Sequence, residues 1–106
     1  MKTIHFVALT AFLTISVTAY AENDAEALFK QHNCSMCHAL ASASVGPSLQ
    51  SIAKKYTGNT SAQALLEAKV RNGGKGSFGA MPMPATPKSV SDENIKSLVR
   101  WVLATK

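Results

Sequence analysis

The sequence of 106 residues contains little cysteine, few acidic side chains and no long hydrophobic run. Its two cysteines allow at most one disulfide within the chain. The apolar run near the N-terminus is shorter than the roughly 20 residues that a membrane-spanning helix needs, which argues against a membrane anchor. No segment alternates apolar and polar residues over a sustained length, so no β-sheet is expected. Repeats and low-complexity segments are also missing, and the length suits one small domain.

Residues 1–21, MKTIHFVALTAFLTISVTAYA, have the layout of a secretory signal peptide. Lys2 precedes the apolar run, and the segment ends in Ala19-Tyr20-Ala21, a small-x-small cleavage pattern. We predict export and cleavage after Ala21, which leaves residues 22–106 as the mature domain. A domain of this size buries only a modest core and often depends on a disulfide, a metal or another covalent staple.

The scarcity of acidic residues gives the chain a positive charge. Eleven Lys and Arg stand against six Asp and Glu, a formal net charge of +5. Loss of Lys2 with the signal peptide leaves ten against six, or +4. This moderate charge suits steering toward an acidic protein partner. The positive charges are scattered and the chain is exported, so nucleic acid is not expected as a partner.

Apolar spacing and capping residues predict helices at both ends of the mature chain. The first helix has Asp24 as its N-cap and carries four residues on one face: Ala25, Leu28, Phe29 and His32. The last helix has Ser91 as its N-cap, with Asp92 and Glu93 favourably placed in its first turn. Its apolar stripe consists of Ile95, Leu98, Val99, Val102 and Leu103.

Two shorter helices and a long loop are predicted between these ends. The stretch LQSIAKKY forms one helix, which Gly58 and Asn59 end. The other helix, SAQALLEAKVRN, has Ser61 as its N-cap and Gly73 as its C-terminal stop. Residues 73–90 contain four glycines and three prolines and are therefore predicted to be an extended loop. The fold class predicted from this pattern is all-α.

The stretch NCSMCHAL holds both cysteines in the motif Cys-x-x-Cys-His, formed by Cys34, Cys37 and His38. This motif is the attachment pattern of c-type haem. Two sulfurs at this spacing form thioethers with the two vinyl groups of one haem, and the next residue places its imidazole on the iron. Export is consistent with this interpretation, because the haem is joined after translocation.

Other interpretations of the two cysteines remain open. A redox dithiol is expected in a βαβ context, whereas this motif follows a predicted helix. A zinc site would use Cys34, Cys37, His38 and perhaps His32, although structural zinc sites usually draw a second ligand pair from further along the chain. A plain disulfide is the ordinary state of two cysteines in an exported protein.

A haem iron needs a sixth ligand, and the loop offers Met81 and Met83. A thioether is a soft, neutral ligand that suits iron(II). We predict Met83, because Pro82 and Pro84 stiffen the backbone on either side of it, and Met81 remains the alternative.

The second ring nitrogen of His38 also needs a partner, and the carbonyl of Pro47 is predicted to accept its N–H. Gly46 provides the turn that this contact requires. His32 is predicted to be a solvent-facing residue and not a ligand of the iron.

With Cys34, Cys37, His38, Gly46-Pro47 and Pro82-Met83-Pro84 in this order, the chain resembles the small bacterial class I cytochromes c. The short periplasmic monohaem type, which donates electrons to terminal oxidases, nitrite reductases or peroxidases, is the most similar. The resemblance covers essentially all of residues 22–106. The stretches that support it are ALFKQHNCSMCH, VGPS, RNGGKGSFGAMPMPATPKSVSDE and RWVLATK.

The resemblance implies about four helices around one covalently attached haem c. Cys34 and Cys37 would carry the thioethers, and His38 and Met83 would be the axial ligands. Pro47 would accept the His38 N–H.

The resemblance further implies that the first and last helices cross, which puts Phe29 against Trp101. Lys69 would lie near a haem propionate. Two positions depart from the family pattern: Phe78 replaces a tryptophan that often bonds a propionate, and Thr86 replaces an asparagine that often bonds the methionine sulfur.

The expected function is that of a soluble periplasmic one-electron carrier, not an enzyme, which transfers electrons through an exposed haem edge. Lys54, Lys55, Lys75 and Lys88 are candidates for a basic ring around that edge. Expected partners are a terminal oxidase, nitrite reductase, peroxidase or quinol–cytochrome c reductase with an acidic docking surface, and the expected state is a monomer. The alternatives are a haem enzyme or gas sensor without Met83 on the iron, and a haem-free disulfide or thiol protein.

Overall fold

A computed structural model describes residues 18–106 of the chain. Most of the predicted signal peptide, residues 1–17, lies outside the described residues. The helices are α1 (Thr18–Gln31), α2 (Leu49–Lys55), α3 (Ala62–Asn72) and α4 (Asp92–Leu103), and a 3₁₀ turn covers Cys34–Met36. Residues 18–106 contain no strand beyond one isolated backbone pair, which confirms the predicted all-α fold.

Helix α1 begins earlier than its sequence pattern predicts. It starts at Thr18, so the prediction that Asp24 caps it is wrong. Residues 18–24 contain neither proline nor glycine, and Ala and Glu favour helix, so the helix runs through Asp24 without a break. The predicted apolar face is present, since Ala25 and Phe29 are buried and Leu28 is half-buried.

Helices α2 and α3 form where the sequence predicts them, but their N-termini differ from each other. The hydroxyl of Ser48 caps α2 by accepting a hydrogen bond from the backbone N–H of Ser51 at 3.1 Å. Ser61 occupies the N-cap position of α3 without a side-chain hydrogen bond, so its predicted capping contact is not formed. The backbone N–H of Ser61 instead donates to Asn59 Oδ1 at 2.9 Å.

Helix α4 is the central element of the domain, because the other three helices pack against it. Ser91 caps it as predicted, accepting a hydrogen bond from the Asn94 N–H at 3.1 Å. Two apolar clusters lie along the helix. One consists of Leu66, Val90, Ile95 and Val99, and the other consists of Phe29, Leu49 and Leu98.

Helices α1 and α4 cross through an aromatic contact. The ring centroids of Phe29 and Trp101 are 5.3 Å apart and the rings are tilted by 55°, a favourable edge-inclined arrangement. This contact joins the two ends of the described chain and matches the crossing that the resemblance implies. None of the helices among residues 18–106 is both long and apolar enough to cross a bilayer.

Residues 73–90 form the predicted loop between α3 and α4. Its stem is closed by a mutual backbone pair, in which the N–H of each of Gly74 and Met83 donates to the carbonyl of the other at 2.9 Å. A further hydrogen bond, from the Thr86 N–H to the Val70 carbonyl at 3.2 Å, attaches the C-terminal part of the loop to α3. The loop therefore brings Met83 back to the end of α3.

Candidate functional site

A cavity of about 490 Å³ lies between the Cys-x-x-Cys-His segment and the 73–90 loop. Cys34, Cys37 and His38 line it from one segment, and Met81 and Met83 line it from the other. Much of the remaining wall is apolar and is formed by Phe29, Leu49, Ile52, Leu98, Val99 and Val102. The volume falls within the range of pockets that hold small molecules and cofactors.

The 3₁₀ turn directs the motif toward this cavity. Asn33, just before it, has φ 60° and ψ 20°, the left-handed conformation that Asn tolerates better than most residues. The backbone N–H groups of Cys37 and His38 then both donate to the Cys34 carbonyl, at 3.2 and 3.0 Å. This tight turn places three motif side chains on one wall of the cavity. Asn33 was not among the residues predicted for the site, although Asn is one of the few residues that adopt this conformation readily.

The imidazole of His38 is held in one orientation. Its Nδ1 lies 2.8 Å from the Pro47 carbonyl oxygen. A carbonyl only accepts, so Nδ1 carries a proton, and in the neutral imidazole Nε2 is then the nitrogen with the lone pair. Gly46 lies directly against the ring, since a Cβ there would be 2.7 Å from His38 Cε1. Any larger residue at position 46 would push the imidazole away, a constraint that the sequence analysis missed.

Cys34 and Cys37 are both half-buried thiols, and neither is in a disulfide. Burial raises the pKa of the Cys34 thiol above its ordinary value, so this thiol is protonated at neutral pH. The described residues also contain no group of three or more His, Cys, Asp or Glu side chains that could hold a metal ion. The zinc site considered from the sequence is therefore not formed.

Met83 and Met81 differ in how they are held. Met83 is half-buried and both of its backbone polar groups pair with Gly74. Met81 is 66% exposed and lies outside that pair. Gly73 is packed against the same segment, because a Cβ there would be 2.4 Å from the Met83 carbonyl oxygen. Gly73 was predicted only to end α3, so this second contact was not expected.

His32 does not line the cavity, but the prediction that it faces solvent is wrong. Its residue is half-buried, and its Nε2 atom is buried with no hydrogen-bond partner among the described residues. His32 lies just after the end of α1, where its backbone N–H donates to the Leu28 carbonyl at 2.9 Å.

The predicted basic residues are not equivalent. Lys69 and Lys75 line the cavity, whereas Lys54 and Lys88 are exposed and do not. Lys55 does not line the cavity but contacts Phe78, which does.

The Nζ of Lys55 lies 4.4 Å from the ring centroid of Phe78 and donates to the Ser77 carbonyl. Phe78 itself lines the cavity and remains 43% exposed.

Comparison with known proteins identifies the kind of site. The family model for cytochrome c matches residues 23–106. The chain belongs to the cytochrome c family. It is 37% identical to cytochrome c-551 of Pseudomonas aeruginosa over the full length of both chains. It is 42% identical to cytochrome c-552 of Hydrogenobacter thermophilus over 81 residues, which are 76% of this chain and 81% of the relative.

Solved structures of cytochromes c have the same fold. The crystal structure of cytochrome c552 from Nitrosomonas europaea matches with a TM-score of 0.72 and 38% identity, covering 76% of this chain and 99% of that one. A class 1 cytochrome from Sideroxydans lithotrophicus matches with a TM-score of 0.70 and 34% identity, covering 78% and 94% of the two chains. The predicted membership of the small class I cytochromes c is confirmed.

The cavity fits the prosthetic group of this family. Two free thiols, an imidazole whose Nδ1 is bound to a carbonyl and a half-buried methionine line it, and these side chains suit a covalently bound haem. An apolar wall encloses the remaining space. The chain is therefore a haem-binding electron-transport protein with one covalently attached haem c.

Proposed function

We propose that this cytochrome is a soluble periplasmic one-electron carrier with His38 and Met83 as axial ligands of its haem iron. In this proposal Cys34 and Cys37 form the thioethers. The observation that carries it is one cavity lined by His38 and Met83 from separate segments, with His38 Nδ1 held 2.8 Å from the Pro47 carbonyl.

His38 is suited to the proximal position because only one tautomer satisfies its surroundings. The Pro47 carbonyl accepts the Nδ1–H, which leaves Nε2 as the ligand atom and increases its basicity. Gly46 leaves room for the ring close to the backbone at this point.

Met83 is suited to the distal position because its backbone cannot move freely. The mutual pair with Gly74 holds it from one side, and the rings of Pro82 and Pro84 fix φ on both sides. A neutral thioether binds iron weakly, so a preorganised backbone reduces the entropy lost on ligation.

The bound haem supplies an iron that changes by one electron between its ferric and ferrous states. His38 and Met83 would hold this iron from two sides and would leave no position for a substrate, which supports a carrier and not an enzyme. The apolar side chains of the wall exclude water and favour the less charged iron. Lys69 and Lys75 add positive charge where the cavity meets the surface, and Lys69 is proposed to face a propionate.

Residues 1–21 are proposed to direct export and to be removed after Ala21. The mature carrier would act as a monomer. Its positive charge supports partners with acidic docking surfaces, such as a terminal oxidase, nitrite reductase, peroxidase or quinol–cytochrome c reductase. Electrons would pass through the exposed haem edge without any bond being made.

Optical spectra of the exported full chain test this proposal. The protein is produced in cells competent in haem attachment, and spectra are recorded oxidised, reduced and reduced with carbon monoxide. A low-spin spectrum with a methionine–iron charge-transfer band, insensitive to carbon monoxide, is expected. High-spin ferric iron with rapid carbon monoxide binding would indicate an enzyme or gas sensor instead.

Two methionine variants then identify the distal ligand. Met83→Ala is expected to abolish the methionine–iron band, because the loop methionine whose backbone is paired with Gly74 is removed. Met81→Ala is expected to retain the band, because Met81 is largely exposed. The reverse result would assign the ligand to Met81.

A further inference from the structure

Arg71, in the last turn of α3, connects three parts of the molecule through its guanidinium group. Nη1 donates to the carbonyls of Thr86 at 3.4 Å and Pro87 at 3.1 Å, and Nη2 donates to the Val90 carbonyl at 2.7 Å. Nε and Nη2 also donate to Asp92 Oδ1 at 3.1 and 2.5 Å. The Arg71 side chain thus binds both the C-terminal part of the 73–90 loop and the first turn of α4.

The exposure of Arg71 and Asp92 indicates which of these contacts contribute most to holding the loop. The Arg71 side chain is 23% exposed, whereas that of Asp92 is 90% exposed. An ion pair with one fully solvated partner contributes little. The three backbone carbonyls are the more important partners, because charged donors form stronger hydrogen bonds than neutral ones and the contacts to Thr86 and Val90 are partly buried.

These carbonyls lie just after the proposed distal ligand. Thr86 and Pro87 follow Met83 by three and four residues, so Arg71 fixes the C-terminal side of the segment that carries the thioether. The Gly74 pair fixes the backbone of Met83 itself. Both attachments are made to the end of α3 or the residues directly after it, so the methionine is held from two directions by one helix end.

We propose that Arg71 is a positioning residue for Met83, which keeps the thioether at the iron by anchoring residues 86–90 to α3. The inference rests on the proposed function, because it takes Met83 as the distal ligand. A weak neutral ligand leaves the iron whenever its loop opens. The free energy of opening therefore includes the hydrogen bonds that Arg71 makes to the loop.

Displacement of the methionine by imidazole tests this role in the oxidised, haem-loaded protein. Imidazole binds ferric iron once the thioether has left, so its half-saturating concentration reports loop opening. Arg71→Gln is expected to lower that concentration about tenfold, the factor that corresponds to 1.4 kcal/mol. The loss of the methionine–iron band is followed well below the unfolding temperature of each variant.

Two control variants separate positioning from other effects. Arg100→Gln removes the same charge from an exposed site on α4 and is expected to leave imidazole binding unchanged. Ala25→Gly lowers stability within α1, away from the cavity, and is also expected to leave it unchanged.

Arg71→Gln indistinguishable from Arg100→Gln would overturn the positioning role while leaving His38 and Met83 ligation intact. An equal effect in Ala25→Gly would also overturn it, since general stability would then account for the change. A wild-type protein without the methionine–iron band would overturn both this inference and the proposed function.

Discussion

At the residue scale, glycine has two different uses in this cytochrome. Gly58 and Gly73 both have a positive φ, 75° and 68°. A Cβ at Gly58 would meet nothing within 4 Å, whereas a Cβ at Gly73 would meet the Met83 carbonyl oxygen at 2.4 Å. The first glycine is needed only for backbone conformation. The second is also needed for the close approach of the methionine segment to α3.

Substitution of these glycines by alanine is expected to separate the two uses. Gly58→Ala should lower the free energy of unfolding by about 1 kcal/mol, because only the left-handed backbone is strained. Gly73→Ala should lower it by about 3 kcal/mol, since an essentially glycine-only conformation is combined with a clash. It should also weaken the methionine–iron band. Denaturant titration measures the free energy of unfolding, and the ferric spectrum measures the band. Equal losses of stability in the two variants would contradict this account.

At the scale of secondary structure, two serines with the same sequence signature behave differently. Ser91 accepts a hydrogen bond from the Asn94 N–H, and Ser61 makes no such bond. The N–H of Ser61 is bound by the Asn59 side chain, which places Ser61 in an α-helical conformation instead of the extended one that a capping serine adopts. The preceding turn thus decides whether a serine caps.

Alanine substitutions at these two serines test the difference. Ser91→Ala is expected to lower the free energy of unfolding by about 1 kcal/mol, the usual effect of losing an N-cap. Ser61→Ala is expected to change it by less than about 0.5 kcal/mol, as for other surface substitutions. Urea denaturation of the haem-loaded protein measures both values. A loss at Ser61 as large as that at Ser91 would show that the hydroxyl caps α3 in solution.

Lys55 connects α2 to the 73–90 loop. Its ammonium group lies over the Phe78 ring and donates to the Ser77 carbonyl. Loss of this contact should free the small turn closed by the bond from the Gly76 N–H to the Gly79 carbonyl at 2.8 Å.

Hydrogen exchange at the Gly76 amide measures that effect. Lys55→Met is expected to accelerate exchange about two- to fivefold, the factor that corresponds to an exposed cation–π contact. Lys54→Met changes the neighbouring exposed lysine of the same helix and serves as the matched control. Equal exchange in the two variants would show that the Lys55 contact does not restrain the loop.

At the scale of the whole molecule, positive charge is placed unevenly with respect to the cavity. Lys69 and Lys75 line it, whereas Lys88 does not. Long-range steering by charge depends on the net charge, and orientation at the encounter depends on charges near the site of transfer. A lysine at the cavity should therefore influence the rate of electron exchange more than a lysine elsewhere on the surface.

Electron exchange with an acidic redox protein tests this distribution. Its rate constant is expected to fall when the ionic strength rises from about 0.01 M to about 0.1 M, as the Debye length shortens from about 30 Å to about 10 Å. Lys75→Glu should lower the rate at low salt more than Lys88→Glu, although both change the net charge equally. Identical rates in the two variants would show that only net charge matters.

Local sequence patterns predicted much of this fold and many of the residues at its site. The helical segments, the cap at Ser91 and the long loop follow from spacing and residue type over a few neighbouring positions. The Cys-x-x-Cys-His motif likewise spans only five residues, so it predicts haem attachment without a structure. Pro47 and Met83 were named as partners of this motif, and their roles at the iron remain proposals.

The tertiary structure decided what depends on segments that are distant along the chain. The packing of Gly46 on His38, the closeness of Gly73 to Met83 and the contacts of Arg71 all join residues that no local pattern relates. The partial burial of His32 was likewise seen only in the folded chain. By itself the sequence determined which elements form and which cofactor they attach. Only the folded chain decided how firmly each predicted ligand is held, because that depends on contacts made when separate elements pack together.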